Sequence, residues 1–600
     1  MCRRSLPTGR SLAAAIGLLV AHGILVGWIG YRNSPNPDEM AHLAAGLLAL
    51  QHQRLDVYCV NPPLPRMLAA LPVTMLEPHT DWGAFDPNPA SRCEFELGSA
   101  LCRANGLKTF WYFAVARWAC LPFSMIGGYY CYRWALELYG PSAAALALLL
   151  WCFSPNVMAW SATICPDAAA ASVGLASCYV FWKWLRQPTW SGAVRSGVML
   201  GLAELTKLTW VILFPAWPSL WLMRLYLNRD LRSRRPAGIE ALQIASIGVV
   251  GLFVLNVGYA FEGTFSRLGS FGFVSNSFRG CCMSSDGCIV GNRFADTWLS
   301  NVRVPVPRAY LAGIDVQRRD FEDGAASYLH RRWSEHGWWF YYLVCAGLKI
   351  PLGTWVLAAL ASSAGSARDR PFCSDRRRSA WIDGAALLLP AIAVFTLVSS
   401  QTGLSRHFRY VLPALPFVIV WVSRVALSAM RKPRSIGLAV TVAAAWSVGS
   451  SLWIYPHSMS YFNEIAGGPI GGPAYLLDSN VDWGQDTKYL IGWCARNPDA
   501  GPVRVFWRAF CGHWAGDGAV ASTARNVGVA RSCAPIKNYV GGAGLAPGWY
   551  AVSVHQLHDP SVICHNLLPL NPVGRAGYSF CIYHVSADDL LALRAEAARH

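Results

Sequence analysis

A mainly α, polytopic bundle of about eleven membrane-spanning helices with an extracytoplasmic mixed α/β domain at its C-terminal end is the fold class this sequence predicts. Three observations predict it. Of 600 residues, 54% are hydrophobic and only 14% charged, with 27 tryptophans, a composition suited to a bilayer rather than to several soluble domains. Apolar runs of near-spanning length recur over the first three quarters of the chain. Basic clusters fall between those runs where a single membrane topology puts them all on one side.

The runs lie at about 11–30, 110–136, 142–160, 168–186, 194–210, 211–227, 239–260, 339–363, 383–400, 410–428 and 435–454. Arg3, Arg4 and Arg10 precede the first run, and Arg224, Arg229, Arg232, Arg234 and Arg235 crowd the end of the sixth. Further clusters lie at Arg368–Arg378 and Arg431–Arg434, and all are cytoplasmic if the N-terminus is. The first run is long and lacks a nearby small-x-small pattern, so it reads as a retained helix and not a cleaved leader. The same topology explains the formal charge of +17 without a nucleic-acid partner, because the basic residues form clusters and no continuous stripe.

Residues 1–455 therefore read as the transmembrane domain, with outer loops at 31–109 and 261–338, and residues 456–600 as the exterior domain. In the first loop, "VNPPLPRMLAALPV" (60–73) predicts an amphipathic helix after a Pro-Pro turn, lying along the membrane surface. The second loop ends in "YLHRRWSEHGWWFYY" (328–342), an aromatic belt entering a helix. Beyond 455 the apolar runs shorten to strand length at 502–507, 549–557 and 577–585. Twelve of the 19 cysteines fall outside, where disulfides are permitted and pairs such as Cys93 with Cys102 or one within "CCMSSDGC" (281–288) are plausible; in the latter stretch a disulfide or free thiols, with the pairing open, are preferred to a zinc site.

Ionisable residues near the ends of apolar runs mark the candidate site. "NPDEMAH" (36–42) places Asp38 and Glu39 after the first run. One reading makes Asp38 an N-cap with Glu39 and His42 in the first turn, where the helix dipole favours anions. The other makes Asp38 a base facing a cavity, with Glu39 and His42 orienting it or binding a metal. Asp167 in "CPDAAAA" repeats the arrangement before the fourth run. "GLAELTKLTW" (201–210) buries Glu204 and Lys207, where an ionisable group faces a partner or a cavity unless it snorkels. "LSRHFRYVLPALPF" (404–417) puts Arg406, His407 and Arg409 at the outer end of a helix, against the positive-inside tendency, which points to an anionic ligand.

These motifs, with "NPPLPRMLAALP" and "YFNEIAGGPIGGPAYLLDSNVDWGQD" (461–486), resemble in order and over almost the whole chain the bacterial GT-C membrane glycosyltransferases. Nearest are the family-39, protein O-mannosyltransferase-like enzymes and the aminoarabinose transferases. The resemblance implies a sugar donor carried on a polyprenyl phosphate, transfer with inversion on the extracytoplasmic face of a bacterial inner membrane, and a protein, lipid or glycan acceptor. It implies that Asp38 is the catalytic aspartate with Glu39 beside it, and that Asp167 is the second acid. Lys207 and Arg406 or Arg409 become donor-phosphate contacts, with His42, Asn61 and His407 in support.

The resemblance leaves a divalent metal open and implies no other cofactor. Aminoarabinose transferases carry Glu-Lys before the Pro-Pro, whereas Val60 and Asn61 stand here, so the resemblance carries over neither a metal-binding glutamate nor a phosphate-binding lysine at that place. In "LDSNVDWGQD" (477–486) the alternating acids Asp478, Asp482 and Asp486 fit either calcium or a turn, and the turn is preferred because no glutamate closes the loop. Two other function classes remain open at this level. One is a transporter or flippase with proton-carrying acids, and the other a non-catalytic membrane scaffold.

Overall fold

The computed structural model describes residues 9–227, 237–280, 290–363, 374–427, 434–501, 503–506 and 544–597. Each of the eleven apolar runs is helical over most of its length. The first part of the chain forms α1 (Gly9–Arg32), α2 (Pro37–His52), α3 (Leu64–Thr74), α4 (Glu94–Asn105), α5 (Thr109–Tyr139), α6 (Pro141–Cys152), α7 (Pro155–Ser161), α8 (Pro166–Arg186), α9 (Trp190–Glu204), α10 (Leu213–Leu227) and α11 (Ala237–Gly258). Later helices include Tyr341–Lys349, Leu352–Ser363, Ser374–Ser399, Leu415–Val422 and Arg434–Trp453.

Among the described residues six stretches, α1 among them, are long and apolar enough to cross a membrane. The number is up to eight if α6 with α7, bent by 57°, and Tyr341–Lys349 with Leu352–Ser363, bent by 109°, each count as one span. That is fewer than the eleven expected. α8 has 21 residues, but alanine, serine and glycine make up much of it and almost every side chain is buried by protein. Small residues let neighbouring helices approach closely, so such a helix has no wide apolar face to offer lipid. α1 is the opposite case: Leu12, Ile16, Val20 and Ile24 recur every fourth residue and are all exposed, an apolar stripe suited to acyl chains.

α2 is held by close backbone approach on two sides. A Cβ on Gly46 of α2 would lie 2.4 Å from the Arg66 carbonyl oxygen of α3, and one on Gly98 of α4 would lie 2.6 Å from the Met40 carbonyl carbon of α2. Neither neighbour is a side chain that could swing away. Gly98→Ala is therefore expected to destabilise the protein by about 1–3 kcal/mol, as overpacking does. A lowered thermal midpoint of the detergent-purified protein would report it, and an unchanged midpoint would refute it.

α3 is the amphipathic helix expected after Pro62-Pro63, with Arg66, Ala69, Ala70 and Val73 buried and Leu68 and Leu71 exposed. Between residues 261 and 338, the helix Arg308–Asp323 precedes a hairpin of β1 (Ser327–Leu329) and β2 (Arg332–Ser334). His330 and Arg331 at its turn both have positive φ, matching the twist of the two strands. The aromatic stretch 328–342 thus begins as a hairpin, and helix starts only at Tyr341.

The C-terminal sheet has the order β3–β4–β6–β5, from β3 (Val503–Phe506), β4 (Gly548–Ser553), β5 (Gly574–Ala576) and β6 (Phe580–Val585). β3 and β4 are parallel and the other pairs antiparallel. Its core is continuous with the helices: Tyr550, Val552 and Tyr583 belong to one buried cluster with Tyr341, Cys345 and Phe408.

The plausible Cys93–Cys102 pair does not form a disulfide; among the described residues every cysteine is free, the free-thiol alternative. Cys93 precedes α4 and Cys102 lies within it. Nine residues at 1.5 Å rise separate them by roughly 13 Å, far beyond disulfide reach. The alternatives within 281–288 lie outside the described residues.

Candidate active site

Two helices begin with the same Pro-Asp pair. Pro37 is the first residue of α2 and Pro166 of α8, where the missing N–H costs no hydrogen bond and the fixed φ suits the helix. The N-cap of α2 is Asn36 and not Asp38. The Asn36 side chain accepts from the Glu39 N–H and the Glu39 carboxylate accepts from the Asn36 N–H, each at 3.0 Å, a complete capping box. At the start of α8 the cap position is Cys165, again leaving the aspartate one residue inside. Asp38 and Asp167 are both released from capping and available to face other groups.

They face the same arginine. Arg409 pairs with Asp38 through one guanidinium nitrogen and lies 3.8 Å from Asp167 through the other. Lys207 Nζ donates to Asp167 at 2.6 Å. The result is a chain of alternating charge, Asp38, Arg409, Asp167, Lys207, assembled from α2, α8, the segment after α9 and the segment after 404. Its walls are aromatic: the Arg409 guanidinium lies 5.0 Å from the Trp160 ring, 5.6 Å from Tyr410 and 5.7 Å from Trp483, and Lys207 Nζ lies 5.4 Å from Tyr410. Lys207 is thus mostly buried and turned to a carboxylate partner. In a low-dielectric setting these charges hold one another, and an entering anion would meet cations already fixed in place.

Arg406 and His407 form a second group beside it. Arg406 pairs with Asp478 at 2.6 Å. His407 Nδ1 and Ser479 Oγ are hydrogen-bonded at 2.8 Å, and the imidazole meets the rings of Tyr410 and Trp483 edge-on. Tyr410 sits within the fields of Arg409, Asp38, Arg406 and Asp167 together, which makes these pairs one neighbourhood.

Glu39 is placed apart from Asp38. Besides the capping box, it accepts from Arg117 Nε at 2.7 Å, from another Arg117 nitrogen at 2.6 Å, and from the Ile164 N–H at 3.1 Å, with no exposed surface. Arg117 also donates to the carbonyls of Gly30, Asn33 and Ser34. Glu39 thus joins the end of α1, the start of α2, α5 and the approach to α8. His42 packs against Tyr58 at 4.5 Å between ring centres, the rings tilted by 41°. Burial, with the charges of Arg66 and Arg409, holds its imidazole well below the ordinary value, so it is a neutral ring. Asn61 takes part through its carbonyl, which accepts from the buried guanidinium of Arg66.

Glu204 is buried and accepts from the Tyr310 hydroxyl at 2.7 Å, fastening the helix Arg308–Asp323 to α9. The acids of 477–486 are engaged by other segments of the chain. Asp478 goes to Arg406, Asp482 accepts from Ser553 Oγ, and Asp486 accepts from Ser579 and pairs with His457. Among the described residues, no three of His, Cys, Asp and Glu gather closely enough to hold a metal ion. Asp38 and Asp167 are already paired with Arg409 and Lys207, so these four side chains form a charge-balanced set.

Two participants escaped the sequence reading. Arg117 is an isolated charge within an apolar run, which is itself a signal of a buried partner. Lys349 is the same in the run 339–363: its Nζ donates to the carbonyls of Met459 at 2.9 Å and Asn480 at 2.6 Å.

Fold and site together define an integral membrane protein with a charge-paired cluster where helix ends meet. Residues 111–249, from α5 to α11 and including Asp167 and Lys207, match the model of the family described as dolichyl-phosphate-mannose-protein mannosyltransferase. This is the group whose motifs the sequence resembles, so motif and family model agree over that segment.

Among solved structures the chain is similar to ArnT from Cupriavidus metallidurans bound to undecaprenyl phosphate, with 14% identity, 94% of this chain and 97% of that one covered, and a TM-score of 0.42. It is also similar to the Archaeoglobus fulgidus oligosaccharyltransferase tethered to an acceptor peptide, with 12% identity, 92% and 72% covered, and a TM-score of 0.38. Among curated proteins none matches significantly.

Proposed function

We propose that this protein is a GT-C membrane glycosyltransferase. In this reading it moves a sugar from a polyprenyl-phosphate donor to a protein, lipid or glycan acceptor on the extracytoplasmic face. The observation that carries the proposal is the alternating chain Asp38, Arg409, Asp167, Lys207, a carboxylate beside cations suited to a phosphate. The family match over residues 111–249 supports the same reading.

The reaction is a single displacement. The acceptor hydroxyl or amine gives its proton to the Asp38 carboxylate as its lone pair forms a bond to the anomeric carbon. The bond from that carbon to the phosphate oxygen breaks with its electrons on oxygen, and the configuration inverts. Arg409 and Lys207, with Arg406 beside them, stabilise the departing lipid phosphate, which takes over cations now held by Asp38 and Asp167. In the same reading the N-terminus lies in the cytoplasm of a bacterial cell, 1–455 form the transmembrane domain in its inner membrane, and 456–600 lie outside.

Mass spectrometry of glycoproteins, glycolipids and glycans from cells with and without the gene tests this. One class of glycoconjugate should lose a single sugar in the deletion and regain it on complementation. Unchanged glycoconjugates, together with proton-coupled uptake into vesicles lacking any lipid-linked sugar, would replace the enzyme by a transporter.

A further inference from the structure

The segment "DSN" at 478–480 reads three neighbouring positions of the cation segment, 406–408, one after another. Asp478 pairs with the Arg406 guanidinium at 2.6 Å, and Ser479 Oγ meets His407 Nδ1 at 2.8 Å. Asn480 takes the backbone: its Oδ1 accepts from the Phe408 N–H at 3.0 Å and its Nδ2 donates to the Arg406 carbonyl at 2.8 Å. All three residues are buried. Asp478 has φ +61°, the left-handed region that aspartate and asparagine tolerate best after glycine.

The triplet is anchored from both sides. On the helical side, Lys349 Nζ donates to the Asn480 carbonyl. On the sheet side, Asp482 accepts from Ser553 Oγ at the end of β4, and Asp486 accepts from the N–H groups of Tyr578 and Ser579 at 2.9 and 3.0 Å, just before β6.

We propose that residues 478–480 are positioning residues for the phosphate clamp, through which the C-terminal domain fixes the aim of Arg406 and His407. This rests on the lipid-phosphate reading above and gives the C-terminal domain a task in it. An arginine side chain free to rotate loses entropy each time it grips a phosphate; one already held by a carboxylate and a fixed backbone has lost it in advance. Asp478 leaves one side of the guanidinium paired and the fork in one plane, so a phosphate oxygen meets it without a search.

The test is a double-mutant cycle on the full-length protein in detergent, with undecaprenyl phosphate as probe and undecaprenol, which lacks the phosphate, as reference. Asp478→Asn keeps the left-handed backbone and removes only the charge. It should weaken undecaprenyl phosphate binding about tenfold, as the loss of one charge-assisted hydrogen bond does. Arg406→Ala should weaken it at least as much, and the double variant no further than Arg406→Ala alone, since positioning acts only through the group positioned.

Additive losses, or wild-type or tighter binding by Asp478→Asn, would overturn the positioning role while leaving the clamp intact. Equal binding of undecaprenyl phosphate and undecaprenol by the wild type would overturn the clamp reading itself. If Asp478→Asn is not recovered folded, Ser479→Ala against His407→Ala completes the same cycle with the loss of one hydroxyl.

Discussion

Replacing Asp38 by asparagine is expected to lower sugar transfer by roughly 100- to 10,000-fold, the range lost when a positioned general base is removed. The substitution keeps the shape of the side chain and the first turn of α2, because the helix is capped by Asn36 and Glu39 and not by Asp38. Arg409 would keep Asp167 as a second carboxylate neighbour, so the clamp should persist. The measurement is the amount of modified acceptor in cells whose only copy is the variant, normalised to protein in the membrane fraction. Transfer within tenfold of wild type, at equal protein, would sink the assignment of Asp38 as base. Asp167→Asn offers the comparison: it disturbs Lys207 and Arg409 together, so its effect should fall more on donor affinity than on the rate at saturating donor.

The contrast between Asp38 and Glu39 shows how far the sequence could be read. Apolar runs were enough to place the helices that lie within them, because burial is written in local hydropathy; α4 and the helix Arg308–Asp323 carry no such run and were not foreseen. The strands of the C-terminal sheet were legible for the same local reason, apart from the three-residue β5. Which acid does what was not legible, because it depends on contacts between positions as far apart as Asp38 and Arg409. A local signal did exist: Asn36 followed by Glu39 three residues on is a capping-box spacing, and spacing alone is enough to give the capping role to that pair and to leave Asp38 out of it. The "DSN" triplet shows the opposite limit. Its turn character was readable from aspartate and asparagine, whereas its match to 406–408 exists only once the chain has returned across the helices.

Breaking the Glu39–Arg117 pair should have the largest effect on folding of any single change near the site. Both side chains are almost wholly buried, and Arg117→Ala leaves the Glu39 carboxylate without a counter-charge and three carbonyls, of Gly30, Asn33 and Ser34, without their donor. Removal of one partner from a buried ion pair costs about 3–5 kcal/mol, a large share of the stability of most proteins. Arg117→Ala should therefore yield little folded protein, seen as loss of the monodisperse peak in detergent and a lowered thermal midpoint. The double variant Glu39→Gln with Arg117→Met should be milder than Arg117→Ala, because it removes both charges while keeping an amide that can still cap α2. If the double variant were the worse of the two, the pair would owe its place to something other than charge compensation. The order matters for function as well: Glu39 secures the turn that carries Asp38, so the double variant should retain part of its transfer, whereas Asp38→Asn, fully folded, should retain almost none.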